Sequence, residues 1–155
     1  MNERENSYEK DNSEQKNPSH NITPKYYFKP NSDIVKDDLF SVTADKIAKS
    51  FFNNKDRIKG PITESQIRKF YDEVLRLRLK LDSANDKEKK FAEILPYLRM
   101  LIPKVIYSKK RKNVNEPFES FIKMNIENIT KVKEFEVFCD LFEAVLAYTK
   151  KYKEQ

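Results

Sequence analysis

The chain has very few of the residues on which enzyme active sites are usually built. Its 155 residues contain one cysteine, Cys139, one histidine, His20, and one glycine, Gly60. A single cysteine excludes a disulfide within the chain and a thiolate metal cluster, and a single histidine argues against histidine-based acid–base catalysis. One glycine argues against the glycine-rich loops that bind phosphate in nucleotide enzymes. We therefore expect no catalytic residue, no metal and no cofactor.

Long apolar runs are also missing. No run approaches the ~18 residues that a membrane-spanning helix needs, and residues 1–21 lack the apolar core of a signal peptide. We expect a cytoplasmic protein that contacts no membrane. The apolar content of 38% suffices for one core, although 36% charged residues leave that core thin.

The first 30 residues are polar. They carry five basic and five acidic side chains among Asn, Ser and Gln, too few apolar groups to offset the entropy of ordering. We predict a disordered tail over residues 1–30 and a single helical domain over residues 31–155. Tyr26, Tyr27 and Phe28 form the exception, an aromatic cluster expected to dock on the domain or on a partner.

Apolar residues recur at helical spacing through the rest of the chain, which predicts an all-α fold, a compact bundle of about five helices. The first pattern runs from Asp37 to Asn53 and places Phe40, Ala44, Ile47, Ala48, Phe51 and Phe52 inward. The second has the clearest start, with Thr63 as N-cap, Gln66 as its capping-box partner, and Ile62 and Ile67 as a hydrophobic staple; it ends near Leu81.

Proline marks the next two patterns. The third places Phe91, Ile94, Leu95, Leu98, Leu101, Ile102, Val105 and Ile106 inward. Pro96 and Pro103 interrupt it, so we expect a kinked helix or two abutting ones. Pro117 suits the first turn of a fourth helix, and a last helix runs from about Phe135 to Tyr152.

The excess positive charge lies in one place, residues 99–112, here called the basic segment. Its six cations and no carboxylate equal the net charge of +6, so the rest of the chain is balanced. They are Arg99, Lys104, Lys109, Lys110, Arg111 and Lys112. Such a patch indicates a polyanionic ligand, RNA or DNA above all. The alternative is a solvated helix end in a protein rich in lysine and asparagine.

Several other side chains have a functional and a structural interpretation. Tyr71, Tyr97 and Tyr107 have rings that stack on bases in other proteins, but their helical spacing favours packing in the core or at its edge. Cys139 lies between Phe138 and Phe142, which favours a buried structural thiol over a nucleophile. Carboxylates on the last helix, namely Glu136, Asp140 and Glu143, are expected to form a solvated face.

Three stretches together resemble a known family. TESQIRKFY (63–71), YLRMLIPKVIYSKKR (97–111) and FCDLFEAVLAYTKKY (138–152) resemble, in order and spacing, the small subunit of the type III-A CRISPR effector, the second protein of the Csm set. The resemblance covers roughly residues 61–153. Lys110 stands where the family usually has glycine, so we expect the helix to continue there. Thr149 stands where the family has an aromatic residue or histidine, which we expect to be a surface or contact adjustment.

The resemblance implies a non-catalytic helical protein that stacks head to tail with copies of itself beside other subunits of the CRISPR effector complex. It implies contact with guide RNA and target RNA without sequence specificity. The matched motifs place Arg68, Lys69, Arg99, Lys104 and Arg111 on the RNA. Charge alone adds Lys109, Lys110 and Lys112, and Arg76 and Lys80 are weaker candidates.

Two other functions stay open at this point. A helical adaptor would use the basic segment to bind an acidic protein, and that binding would survive RNase treatment. A ribonuclease or toxin-like enzyme would cleave labelled RNA, although the missing histidines argue against it.

Overall fold

The computed structural model describes residues 22–52 and 62–153, which are mostly helical. In order, the helices are α1 (Ala44–Phe52), α2 (Glu64–Asp82), α3 (Lys87–Arg99), α4 (Leu101–Lys110), α5 (Glu116–Asn128) and α6 (Val132–Tyr152). A 3-10 turn, Pro24–Tyr26, and a π-helical segment, Leu39–Thr43, precede α1. Within these ranges the extended pairing is limited to one isolated bridge between Phe28 and Val35. The predicted all-α fold is confirmed.

Helix α6 is the centre of the bundle. It packs against α1 and α2, while α2 also packs on α3 and α4 on α5. Phenylalanines from α5 and α6 interlock edge to face in the core, with ring centroids of Phe121 and Phe142 5.3 Å apart at 81°. Such aromatic pairs contribute about 0.5–1.5 kcal/mol beyond the burial of their area. No helix of the described ranges is long and apolar enough to cross a bilayer.

The chain before α1 is part of this core. Tyr27 is completely buried, and its hydroxyl donates a hydrogen bond to Oδ1 of Asn125 on α5. Burial raises the pKa of Tyr27 well above its ordinary value, so the phenol stays neutral. Ile22 is buried as well, although the composition of residues 1–30 predicts a polar tail. Tyr27 thus docks on the domain; residues 1–21 of the predicted tail lie outside the described residues.

Helix α2 begins as its sequence predicts. The Thr63 hydroxyl accepts a hydrogen bond from the backbone N–H of Gln66 at 3.3 Å, and Ile62 and Ile67 are buried on either side of the cap. The reciprocal bond from the Gln66 side chain is not formed among the described residues. The N-cap and the staple are confirmed, and the capping box is half formed.

The third pattern forms two abutting helices, which is one of the two predicted outcomes, so the bundle has six α-helices in the described residues. The break falls at Met100, between α3 and α4. Pro96 lies inside α3, and Pro103 lies in the first turn of α4, where a backbone N–H has no intrahelical partner to lose.

Two residues predicted to face inward do not. Phe40 is exposed, because it lies in the π-helical segment, where the spacing of an α-helix no longer tells which side faces inward. Ile106 is 44% exposed. Leu101 and Val105 already fill the buried face of α4, and Ile106 lies beyond that face.

The last two helices follow their predicted starts. The Asn115 side chain caps α5 by accepting from the Phe118 N–H at 3.2 Å, and Pro117 occupies the first turn. Helix α6 begins at Val132, slightly before the predicted Phe135, and ends at Tyr152.

Candidate nucleic-acid interface

The basic segment folds as the end of α3, all of α4 and the turn that follows. That turn is a left-handed helix end: Lys112 has φ 64°, its N–H donates to Lys109 O at 2.9 Å, and Asn113 N–H donates to Ser108 O at 2.9 Å. Glycine is the usual residue at such a position, because a Cβ there costs roughly 1–2 kcal/mol. Helix α4 continues through Lys110, as expected. Lys112, and not a glycine, adopts the strained left-handed conformation that ends it.

Four residues form the surface that we call the α4 outer face, namely Lys104, Tyr107, Lys110 and Arg111. The three cations lie three or four residues from Tyr107, so the four share one side of the helix, and all four are exposed. The Arg111 Nη1 donates to the Tyr107 hydroxyl at 3.1 Å, with its guanidinium carbon 5.6 Å from the ring centroid. In the described ranges, no carboxylate forms an ion pair with any of these three cations.

Helix α2 adds Lys69 to this surface. Lys69 and Lys104 line an open groove of about 490 Å³ between α2 and α4, which Leu101 and Ser108 also line. Asp72 and Glu73 border the same groove and lower its positive potential. The groove therefore brings together two candidates that are far apart in sequence.

Three other candidates already have acidic partners at the surface. The pairs are Arg68 with Glu64 (3.1 Å), Arg76 with Glu73 (3.2 Å) and Lys109 with Glu119 (3.5 Å). The hydrogen bond from Arg68, followed by one from Lys153, holds the pKa of Glu64 below its ordinary value. Exposed pairs of this kind contribute only about 0–1 kcal/mol, so a phosphate competes for these cations on nearly equal terms.

Arg99 and Lys80 lie apart from the α4 outer face. The Arg99 guanidinium donates to the carbonyl of Ile129, the C-cap residue of α5, at 3.0 Å, which ties α3 to the end of α5. Lys80 lines a polar recess of about 590 Å³ at the α2–α3 connection, together with Lys89 and Lys90. Arg99 has a structural contact, and Lys80 belongs to a different part of the surface.

The tyrosines correct one expectation. Tyr71 is half-buried against Phe142, with ring centroids 5.5 Å apart, as its spacing predicts. Tyr97 and Tyr107 are instead 66% and 60% exposed. The signal was present in the spacing: Leu101 and Val105 define the buried side of α4, and a residue two positions after Val105 falls outside it. The expectation of core or edge packing is wrong for both.

A second exposed surface lies between α2 and α6 and differs in charge. We call it the α2–α6 face: Leu75 and Leu79 of α2 are exposed beside Asp140 and Glu143 of α6. These four residues and Arg78 line a groove of about 210 Å³. Arg78 pairs there with Asp82 at 3.2 Å and Asp140 at 3.3 Å. The predicted solvated carboxylates are confirmed for Asp140 and Glu143; Glu136 pairs with Lys87 at 3.4 Å.

Cys139 and Thr149 belong to the core. Burial raises the pKa of the Cys139 thiol to about 12, so it is protonated at neutral pH, which confirms the structural interpretation. Thr149 is buried and its hydroxyl donates to Leu146 O, so of the two expected alternatives it is a contact adjustment within the core and not a surface one. Among the described residues, no three His, Cys, Asp or Glu side chains are grouped to hold a metal ion.

Comparison with known proteins adds the family. The family model Csm2 Type III-A matches residues 36–155, a range that includes all six α-helices and both exposed faces. Comparison with curated proteins and with solved structures gives no match. The chain belongs to the Csm2 family, the small subunit of the type III-A CRISPR complex, a complex that it shares with other subunits.

Proposed function

We propose that this protein is a non-catalytic, RNA-binding small subunit that contacts guide RNA and target RNA through their phosphates. One observation carries the proposal: Lys104, Lys110 and Arg111 project from one side of α4, and no carboxylate of the described residues pairs with them. Unpaired, exposed cations on one surface are what a phosphate chain requires.

The arrangement favours binding without sequence specificity. Lysine and arginine on a regular helix reach phosphates, which fix the position of a strand and carry no sequence information. A complex whose guide differs from one spacer to the next needs this kind of contact. Lys69, across the groove from Lys104, extends the same surface onto α2.

Two exposed apolar surfaces, the α2–α6 face and the junction of α3 and α4, support stacking of copies. A head-to-tail contact joins two different surfaces of the same chain and leaves one of each open for the next copy. The α2–α6 face offers Leu75 and Leu79 edged by carboxylates, and the junction of α3 and α4 offers Tyr97 and Met100 beside the basic segment. Apolar residues edged by opposite charges are complementary, so we propose that these two surfaces meet in adjacent copies.

Binding to unrelated single-stranded RNAs across a salt series tests the RNA proposal. We expect similar affinities for all sequences, and a log affinity that falls with log salt by roughly 0.7 per phosphate bound. The variant Lys104→Glu/Arg111→Glu should weaken binding to every sequence and keep the helical circular dichroism.

The matched control is Lys46→Glu/Lys133→Glu, which makes the same charge change at exposed positions of α1 and α6. Equal losses in both variants would mean that net charge, and not the α4 outer face, determines binding. Absence of binding at low salt would contradict the proposal. Pull-down of a protein that survives RNase treatment would favour the adaptor instead.

A further inference from the structure

We propose that Tyr107 is a stacking platform for an unpaired nucleobase, so that the α4 outer face prefers single-stranded to base-paired RNA. The inference deepens the RNA binding proposed above and depends on it.

The Tyr107 ring is placed to receive a ligand. It is 60% exposed and stands on a regular helix, whose buried face is held against α5 by Leu101 and Val105. The Arg111 hydrogen bond to its hydroxyl, at 3.1 Å, restrains the ring further. A restrained aromatic ring that is open to solvent loses little entropy when a base stacks on it.

The charges around the ring suit a nucleotide strand. Lys104 lies one turn before Tyr107, and Lys110 and Arg111 lie one turn after it, spanning roughly 10 Å along the helix. A base that stacks on the ring therefore has cations on both sides for the adjoining phosphates. The Arg111 guanidinium, 5.6 Å from the ring centroid, is a second flat group beside the ring, and bases stack on guanidinium planes as well as on aromatic rings.

The preference for an unpaired base follows from geometry. Inside a duplex, each base is covered on both faces by its neighbours, so an exposed ring on a convex helix has no free face to meet. The deep, narrow major groove of an RNA duplex also excludes such a side chain. Phosphate contacts from the lysines are possible with either form, so the preference depends on Tyr107.

An interface with protein fits this ring less well. An apolar contact that buries Tyr107 would also remove Lys104, Lys110 and Arg111 from water, and each would need a carboxylate from the partner. In a nucleic acid, the phosphates supply an anionic partner for each of these three cations.

The test compares the full chain with Tyr107→Leu and Tyr107→Phe by fluorescence anisotropy. Three probes of equal length are used: a single-stranded RNA, an abasic oligonucleotide and an RNA duplex. Loss of the ring in Tyr107→Leu should weaken binding to the single strand about tenfold, within the range measured for base–aromatic stacks, and leave the abasic and duplex probes unchanged. Tyr107→Phe keeps the ring and should stay within about twofold of the parent chain.

The salt dependence separates stacking from charge. Tyr107→Leu should leave the slope of log affinity against log salt unchanged, because it removes no cation. Lys110→Gln should reduce that slope by roughly 0.7 and weaken all probes alike. Thermal melting should be unaltered in Tyr107→Leu, since the residue is exposed and leucine is a good helix former.

Each contrary result has a definite meaning. If Tyr107→Leu binds the single strand as the parent chain does, while Lys104→Glu/Arg111→Glu still loses binding, stacking is wrong and the phosphate-binding proposal stands. If Tyr107→Leu abolishes self-association and leaves RNA affinity intact, the ring meets protein and the inference is overturned. If the parent chain binds no probe, the proposed function itself fails and the inference fails with it.

Discussion

The α4 outer face and the α2–α6 face both expose large side chains from a helix, and they differ in what surrounds those side chains. Tyr107 on α4 has three cations around it, none paired with a carboxylate of the described chain. Leu79 on α2 lies beside Asp140, and the nearby Arg78 pairs with two carboxylates. Exposure alone marks neither as a nucleic-acid surface; the unpaired charge does.

The two faces differ most in the source of the free energy that binding would release. Cations on the α4 outer face release counterions to solution when a phosphate binds, which is a favourable entropy. On the α2–α6 face Arg78 already pairs with Asp82 and Asp140, and the carboxylates that line the groove outnumber it, so an RNA strand would meet repulsion from Asp140 and Glu143. That face can gain free energy by burying Leu75 and Leu79 against another protein surface. The comparison therefore favours RNA at one face and protein at the other.

Reversing the charge of the α4 outer face should produce the largest effect. In Lys104→Glu/Lys110→Glu/Arg111→Glu, three phosphate contacts become three repulsions, and we expect RNA affinity to fall by about a hundredfold or more at roughly 0.1 M salt. Filter binding measures it. Helical circular dichroism should stay unchanged, because all three residues are exposed. If the variant keeps most of its affinity, RNA binds elsewhere on the chain and the α4 outer face is not the RNA surface.

A charge in the apolar strip of the other face should have the next largest effect. Leu79 is 61% exposed, so Leu79→Glu should not disturb the fold of the free chain. Burying a carboxylate where a leucine packs should weaken self-association by roughly ten- to a hundredfold, the equivalent of about 1.5–3 kcal/mol. Sedimentation velocity measures the change.

The matched control for that experiment is Leu79→Met, which keeps an apolar side chain of similar volume and should associate as the parent chain does. RNA affinity at low protein concentration should be the same in both variants. A loss of RNA binding in Leu79→Glu would show that the two faces do not act separately.

Giving the α2–α6 face the charge of the α4 outer face sharpens the comparison. In Asp140→Lys/Glu143→Lys the carboxylates beside Leu75 and Leu79 become cations, and we expect affinity for RNA to rise about five- to tenfold, because the new lysines bind additional phosphates. The salt slope should become steeper by roughly 0.7 for each additional phosphate bound. An unchanged slope would mean that the shape of this groove, and not its charge, excludes the RNA.

The sequence predicts the helices well because most of them carry a buried stripe and a local start signal. Thr63 and Pro117 each begin a helix where expected, and Phe118, Phe121 and Phe142 are all buried. Prediction is incomplete where a local signal allows two outcomes. Pro103, three residues after Met100, marks the boundary between α3 and α4, but the sequence left open a kinked helix or two abutting helices, and the structure shows two.

The sequence shows which cations belong to the candidate site, but not which of them are paired or tied to other helices in the folded chain. Six cations in residues 99–112 are visible in the sequence, yet the roles of Arg99 and Lys109 depend on Ile129 and Glu119, which approach only in the folded bundle. Tyr107 is the exception. Its spacing from Leu101 and Val105 already places it off the buried side of α4, and the structure shows its ring exposed with α4 packed on α5.

The smallest effect we expect comes from Lys112, where stability and binding oppose each other. A lysine at φ 64° costs roughly 1–2 kcal/mol, part of which glycine would return as greater freedom of the unfolded chain. Lys112→Gly should therefore stabilise the fold by about 1 kcal/mol, or about 3 °C in melting temperature, and weaken RNA binding by about threefold. Lys110→Gly removes the same charge from inside α4 and should lower stability by about 1 kcal/mol, with a similar loss of affinity. If the two variants lose equal affinity while Lys112→Gly melts higher and Lys110→Gly melts lower than the parent chain, then Lys112 contributes charge to RNA binding at the expense of stability. If Lys112→Gly binds RNA as the parent chain does, the bound strand does not extend past the α4 outer face to Lys112.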